Sequence, residues 1–337
     1  MLILNIALLL AALILILLGA ELFTNAVEHV GRRFSLSEGM VGSILAAVAT
    51  ATPETAVPLI AVFFGGAGRT TGETIATGAI LGSPLMLVTL AMALMGLYGG
   101  LRRGWGTLLR PESSGLLRDL AYFSVSYVIA CIALFIPSGS AGVRMVAGFA
   151  LVFLYVYYIY NTMLASTLLV KRGHGVRPHK PLLLARTGVL PHPAWEGLQF
   201  ALGLAFIIIG AKLFLLGIEQ LVNRTGVGTM VLALLVIPVA TETPEKLNSI
   251  LWVGRGKDTL AFGNLTGAMV LQGTLLPAFG MQLASWTPSR PSLLAMGVTF
   301  AGTAWILLLT LRRRLTPFAL LLNGLGYLLF FFLLTRA

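Results

Sequence analysis

Residues 49–54 read Ala49-Thr50-Ala51-Thr52-Pro53-Glu54, and residues 240–245 read Ala240-Thr241-Glu242-Thr243-Pro244-Glu245. Each copy lies inside a long apolar run, where a carboxylate is costly and functional by default. The proline before each glutamate removes one helical hydrogen bond and clashes with the carbonyl four residues back, so each helix is expected to kink or break there. Carbonyls freed at membrane depth are tolerated only where they line a cavity or find partners. Two broken apolar helices, each with hydroxyls and a carboxylate at its break, read as the two halves of a buried cation site.

Composition sets the class around this pair. Of 337 residues, 57% are hydrophobic and 10% are charged, against about 25% charged in soluble domains. The chain therefore reads as an all-α integral membrane protein. The net charge of +11 sits in short loops between apolar runs, which is the pattern of membrane orientation, not of a nucleic-acid-binding face. A single cysteine, Cys131, excludes an internal disulfide and a cysteine-rich metal site. His29, His174, His179 and His192 show no metal-ligand spacing and read as interfacial. The first apolar run has no basic residue before Arg32, so it is expected to remain as a span and not to be cleaved as a signal.

Ten runs are long enough to cross a bilayer, which takes about 20 residues. They fall near 2–29, 39–64, 74–99, 118–136, 142–170, 195–222, 227–253, 259–285, 290–311 and 315–335. The loops after the odd-numbered runs carry sixteen basic residues and those on the opposite side five. The first set is thus expected on the cytoplasmic side and both termini outside. A stretch rich in Pro, Gly, His and basic residues, 171–194, reads as a cytoplasmic linker between five-helix repeats at 1–170 and 195–337.

The halves repeat. A shift of 191 residues lays Gly19-Ala20 on Gly210-Ala211, Glu28 on Glu219, Arg33 on Arg224, and Thr52-Pro53-Glu54 on Thr243-Pro244-Glu245. An odd number of spans per half makes this an inverted repeat, an architecture of secondary transporters that place their sites at the midplane. A third element follows in each half, Gly78–Ser83 and Gly263–Ala268. Its glycines are read chiefly as helix-packing positions, while Asn264 carries an amide that needs a partner in lipid.

A hard divalent cation such as calcium takes six or more oxygen ligands. Glu54 and Glu245 supply two carboxylates, and Thr50 and Thr241 each lie one helical turn before them on the same face. Two carboxylates facing each other without an ion repel, so one should take up a proton, which makes proton exchange chemically natural. Each threonine could equally bond back to its own helix. Glu242 and Lys246 are four apart and can pair; the alternative is that Lys246 acts as a tethered cation modulating the site. Glu21 and Lys212 are equivalent positions, and Glu28 and Glu219 read as interfacial. No nucleophile–base set or acidic cluster near an interface points to an enzyme.

The paired stretches resemble the Gly-Thr-Ser-x-Pro-Glu signature of the calcium/cation antiporter superfamily, the sodium/calcium exchanger membrane region. Gly78–Ser83 and Gly263–Ala268 are similar to its Gly-Asn-x-x-Gly-Ser-Asn signature, and the resemblance covers the whole chain. It implies that Glu54 and Glu245 bind calcium, assisted by Thr50, Thr241, Asn264 and Ser83, with no covalent cofactor. The sequence departs from the pattern in places. The signature serine is Ala51 in one half and Glu242 in the other, which adds a third carboxylate to the candidate set. Ala79, Pro84 and Met269 replace asparagines, and Lys246 follows the second glutamate. The expectation is a secondary cation antiporter of a prokaryotic-type inner membrane, exchanging calcium or a related cation for protons or sodium. The alternative is a non-transporting scaffold or sensor on the same fold.

Overall fold

The computed structural model describes residues 2–335 apart from 52–53, 56–57, 60–61, 64–68, 138, 185–192, 223–233, 236 and 285. Its helices are α1 (Leu2–Arg33), α2 (Glu38–Thr50), α3 (Gly72–Arg103), α4 (Ser113–Leu134), α5 (Ala141–His174) and α6 (Pro193–Val222). Then come α7 in two pieces (Ile237–Thr241 and Thr243–Gly254), α8 (Asp258–Leu283), α9 (Arg290–Leu311) and α10 (Pro317–Leu334). Among the described residues there is no strand, only an isolated bridge between Ser37 and Gly175.

Among the described residues, six helices, α1, α3, α4, α5, α9 and α10, are long and apolar enough to cross a membrane. The sequence predicts ten such runs, and the difference has physical causes. α2 stops at Thr50, and α7 is divided at Glu242. α8 has 26 residues but carries Asn264, Thr266, Gln272 and Thr274 through its middle. The described apolar part of α6 is short, Ala194–Gly210.

α8 lies at the centre, packed against α2, α3, α4, α5 and α7 and buried along most of its length. A helix surrounded on all sides can carry polar groups only if they find partners. Thr266 finds Asp119 of α4: its hydroxyl lies 2.7 Å from Asp119 Oδ2. Asp119 also accepts from Ser43 of α2 at 2.6 Å and from Tyr158 of α5 at 3.0 Å. One buried carboxylate thus ties four helices together. Asp119→Ala leaves the buried Ser43 and Tyr158 hydroxyls without their acceptor, while Thr266 can still donate to the Phe262 carbonyl at 3.0 Å, and is expected to lower stability by about 2 kcal/mol or more. Thermal unfolding of the purified protein in detergent checks this; an unchanged transition would show that the junction does not stabilise the fold.

Helices α2 and α3 are locally underwound in their interiors, as α5 is at its end over Val170–His174. Val41–Ala46 in α2 and Leu87–Ala91 in α3 take the wider π-turn, a geometry frequent at functional sites. In α3 the turn follows Pro84, which has no N–H to give the ladder. Asn323 of α10 donates to the Val88 carbonyl there at 2.6 Å.

α1 and α6 pair along much of their lengths. A Cβ at Gly19 would stand 2.8 Å from the Ile207 backbone nitrogen and 2.9 Å from the Gly203 carbonyl oxygen. Only glycine permits that approach. The linker stretch 175–184 lies against α1. Asn25 donates to the Lys180 and Pro181 carbonyls and accepts from Leu183 N–H at 3.0 Å. Glu28, expected at an interface, is instead 1% exposed. It accepts from Trp252 Nε1 at 3.0 Å and His179 N–H at 2.7 Å, and pairs with Lys257 at 3.0 Å. The linker, the end of α7 and the α7–α8 turn cover it. Glu21 pairs with Lys180 at 3.1 Å and with Arg255. At the start of α4, burial pushes the Glu112 carboxyl up, but hydrogen bonds from Ser114 and Gly115 N–H outweigh this and hold it below its ordinary value.

Candidate cation site

Both breaks fall at equivalent positions. α2 ends at Thr50 and Ala51 leaves the helix at φ −70°, ψ 10°. The first piece of α7 ends at Thr241 and Glu242 leaves it at φ −81°, ψ 5°. Pro244 sits in the first turn of the next piece, where its missing N–H and fixed φ suit a helix start. In this half the proline therefore opens a new helix after a break and does not bend a continuous one. Thr52 and Pro53 of the first half lie outside the described residues.

The breaks bring three carboxylates together. One oxygen each from Glu54, Glu242 and Glu245 lies within 4.8 Å of the other two, and all three residues are buried. Among the described residues, both oxygens of Glu54, both of Glu245 and Oε2 of Glu242 have no hydrogen-bond partner. Oε1 of Glu242 accepts a bond from Gln272 Nε2 at 2.9 Å. Buried carboxylates left this way are expensive, and a cation among them would satisfy several oxygens at once.

The expected helpers divide. The Thr50 hydroxyl lies beside Glu245, but its proton goes back to the Ala46 carbonyl at 3.0 Å. That bond leaves the lone pairs of the Thr50 oxygen free to act as ligands. Ser83 is buried beside Glu242. Thr241 bonds back to the Ile237 carbonyl at 3.1 Å. Asn264 acts through its nitrogen, which donates to the Glu245 carbonyl and to Ser249 Oγ, both at 3.0 Å. Its own oxygen has no partner. Asn264 thus fixes the backbone at Glu245 and keeps an acceptor in reserve. The glycines of the third element do pack: a Cβ at Gly82 would meet the Leu234 carbonyl at 2.7 Å and one at Gly267 the Ser43 carbonyl at 2.1 Å.

The Glu242–Lys246 pair expected from the four-residue spacing is not formed. Lys246 Nζ instead donates to the Val239 carbonyl at 3.0 Å and to the Pro238 carbonyl at 3.4 Å. The side chain runs back along its helix, the direction helical side chains favour, and the break places those carbonyls within its reach. Gln272 was missed. It lies eight residues beyond Asn264 in the same apolar run, and the same rule, a buried amide needing a partner, would have found it.

Apolar helices of spanning length, packed around a central polar helix, define the class: a multi-pass helical membrane protein. Comparison with known proteins narrows it. The model of the sodium/calcium exchanger protein family matches residues 4–164 and 195–336, and the chain belongs to that family. It is 24% identical over 337 residues to a protein of Alkalimonas amylolytica named "Putative antiporter CaxA", covering 94% of this chain and 95% of that one. It is 25% identical over 271 residues to the inner membrane protein YrbG of Escherichia coli strain K12, covering 78% and 75%. Among solved structures, the sodium-calcium exchanger NCX_Mj superposes with a TM-score of 0.72 over 98% of both chains at 19% identity, so the fold is that of NCX_Mj. The family is one of exchangers, not of enzymes.

Proposed function

We propose that the chain is a secondary active antiporter that exchanges calcium or a related cation for protons or sodium by alternating access. The observation that carries this reading is the trio Glu54, Glu242 and Glu245, buried within 4.8 Å with five of six oxygens unpartnered among the described residues. Thr50, Thr241, Ser83 and Asn264 complete the proposed ligand set, and Lys246 modulates it.

The architecture proposed for it is ten spans in two inverted halves, 1–170 and 195–337, joined by a cytoplasmic linker at 171–194. Contacts related by the repeat support it. The same 191-residue shift that aligns the two halves carries Ala12 to Gly203, Ile16 to Ile207 and Gly19 to Gly210. Gly19 packs on Gly203 and Ile207, while Gly210 packs on Ala12 and Ile16. The shift also carries Ser43 to Leu234 and Ala51 to Glu242. Gly82 of one half packs on the Leu234 carbonyl, and Gly267 of the other packs on the Ser43 carbonyl. Such reciprocity is what a two-fold relation between halves produces. The α1–α6 pair would then rock against the core that holds the carboxylates. Basic residues in the loops put both termini outside a prokaryotic cell membrane.

The missing oxygens at Ala51, Ala79, Pro84 and Met269 favour a second reading, a scaffold or sensor that does not transport. The deciding experiment loads the purified protein into sealed vesicles and follows radiolabelled calcium under an opposing sodium or proton gradient. Uptake driven by either gradient is expected. Calcium binding without uptake would favour a sensor, and neither binding nor uptake would overturn the cation-site reading.

A further inference from the structure

We propose that the ammonium of Lys246 is a built-in cation that occupies the carbonyl cradle at the break of α7, so that the site takes a divalent cation with no companion sodium ion. This rests on the reading of the three carboxylates as a cation site and adds which ions that site accepts.

The placement of Lys246 argues for it. The residue is 6% exposed, and Nζ bonds two backbone carbonyls, Val239 at 3.0 Å and Pro238 at 3.4 Å. Among the described residues, no carboxylate oxygen lies within 4.0 Å of it, although Glu242 is one turn away on the same face. Backbone carbonyls at a helix break are what transporters use to hold a monovalent cation. Here the chain supplies that cation itself, from the residue after a carboxylate of the site.

Charge makes the placement consequential. A lone ammonium taken out of water costs several kcal/mol, yet this one lies within electrostatic reach of Glu54, Glu242 and Glu245. Three carboxylates and one ammonium leave two formal negative charges, which one divalent cation balances. Without the ammonium the same carboxylates would hold a divalent ion and still attract a monovalent one. The first half has no counterpart: the 191-residue shift sets Thr55 opposite Lys246, and Thr55 bonds back to the Ala51 carbonyl at 2.7 Å. Lys246 also compensates locally for Glu242, the carboxylate that stands in the signature-serine position of the second half.

The experiment measures calcium binding to the purified full-length protein at zero and at high sodium, with choline keeping ionic strength constant. Wild type, Lys246→Met and Lys246→Gln are compared, the last keeping a donor for the carbonyls without the charge. In wild type, sodium is expected to leave calcium affinity unchanged or to lower it by competition. In either variant, sodium is expected to raise calcium affinity by about tenfold, a typical coupling between two bound ligands. Lys246→Arg should restore the wild-type response. Variants that respond to sodium as wild type does would overturn the proposal. So would wild-type calcium binding strengthened by sodium, a result that needs no folded variant. Wild type that binds no calcium at any sodium concentration would instead overturn the cation-site reading itself, and this proposal with it.

Discussion

Glu54→Gln and Glu245→Gln are each expected to abolish measurable calcium flux in sealed vesicles while the protein remains folded. The size of the effect follows from where these carboxylates sit. Both are buried, and neither oxygen of either has a hydrogen-bond partner among the described residues. Their interaction with a bound cation is therefore not already spent on a neighbour. At about 4 Å and an effective dielectric of about 20, each unit of charge on the ion contributes about 4 kcal/mol. Loss of one carboxylate thus predicts at least roughly a thousandfold weaker binding. Glutamine keeps the shape and can hydrogen-bond its surroundings, so folding should survive. Glu242→Gln is expected to be milder, because Gln272 already holds one Glu242 oxygen at 2.9 Å. Flux and calcium affinity measured on all three variants should rank Glu54 and Glu245 well ahead of Glu242. Full transport by both Glu54→Gln and Glu245→Gln would mean the ion passes elsewhere.

How much of this could be read from sequence differs from feature to feature. The broken helices were legible because Pro and Glu together inside an apolar run have few other meanings. The Gly19–Gly210 relation was legible because small residues recur at the same offset, and the structure uses them where α1 meets α6. The convergence of Glu242 with the other two carboxylates was open to inference from its place opposite Ala51. The direction of Lys246 was not legible. A four-residue spacing fits an ion pair as well as a bond to carbonyls behind it, and only the break at Glu242 decides between them. The burial of Glu28 was not legible for a related reason. A charged residue at a helix end reads as solvated, and sequence does not reveal that the linker folds back to donate His179 N–H to it. The polar character of α8 hid a different fact: residues that lower its hydropathy are those that make it the hub of the bundle.

Gly267→Ala is expected to disable the protein through its fold, not its chemistry. A Cβ at Gly267 would stand 2.1 Å from the Ser43 carbonyl oxygen, 2.4 Å from Ser43 Cα and 2.6 Å from its carbonyl carbon. Every one of these is backbone, so no side chain can swing away. The central helix α8 and the π-turn of α2 would have to separate. Overpacking a core ordinarily costs about 1–3 kcal/mol, and an obstruction made of main chain should lie at or above the top of that range. The displacement would not stay local. Ser43 donates to Asp119 at 2.6 Å, and the same helix runs on to Thr50 beside Glu245. A shifted α2 therefore weakens the four-helix junction and moves one wall of the cation site together. Gly297→Ala is the matched control, since nothing lies within 4 Å of its added Cβ and it sits in α9 away from α2. Thermal unfolding in detergent, followed by tryptophan fluorescence, should show a strong drop for Gly267→Ala and none for Gly297→Ala. If Gly267→Ala unfolds with wild type, the close approach of α8 to α2 is not how the native helices pack, and the position of Asn264 relative to Glu245 would need to be rebuilt.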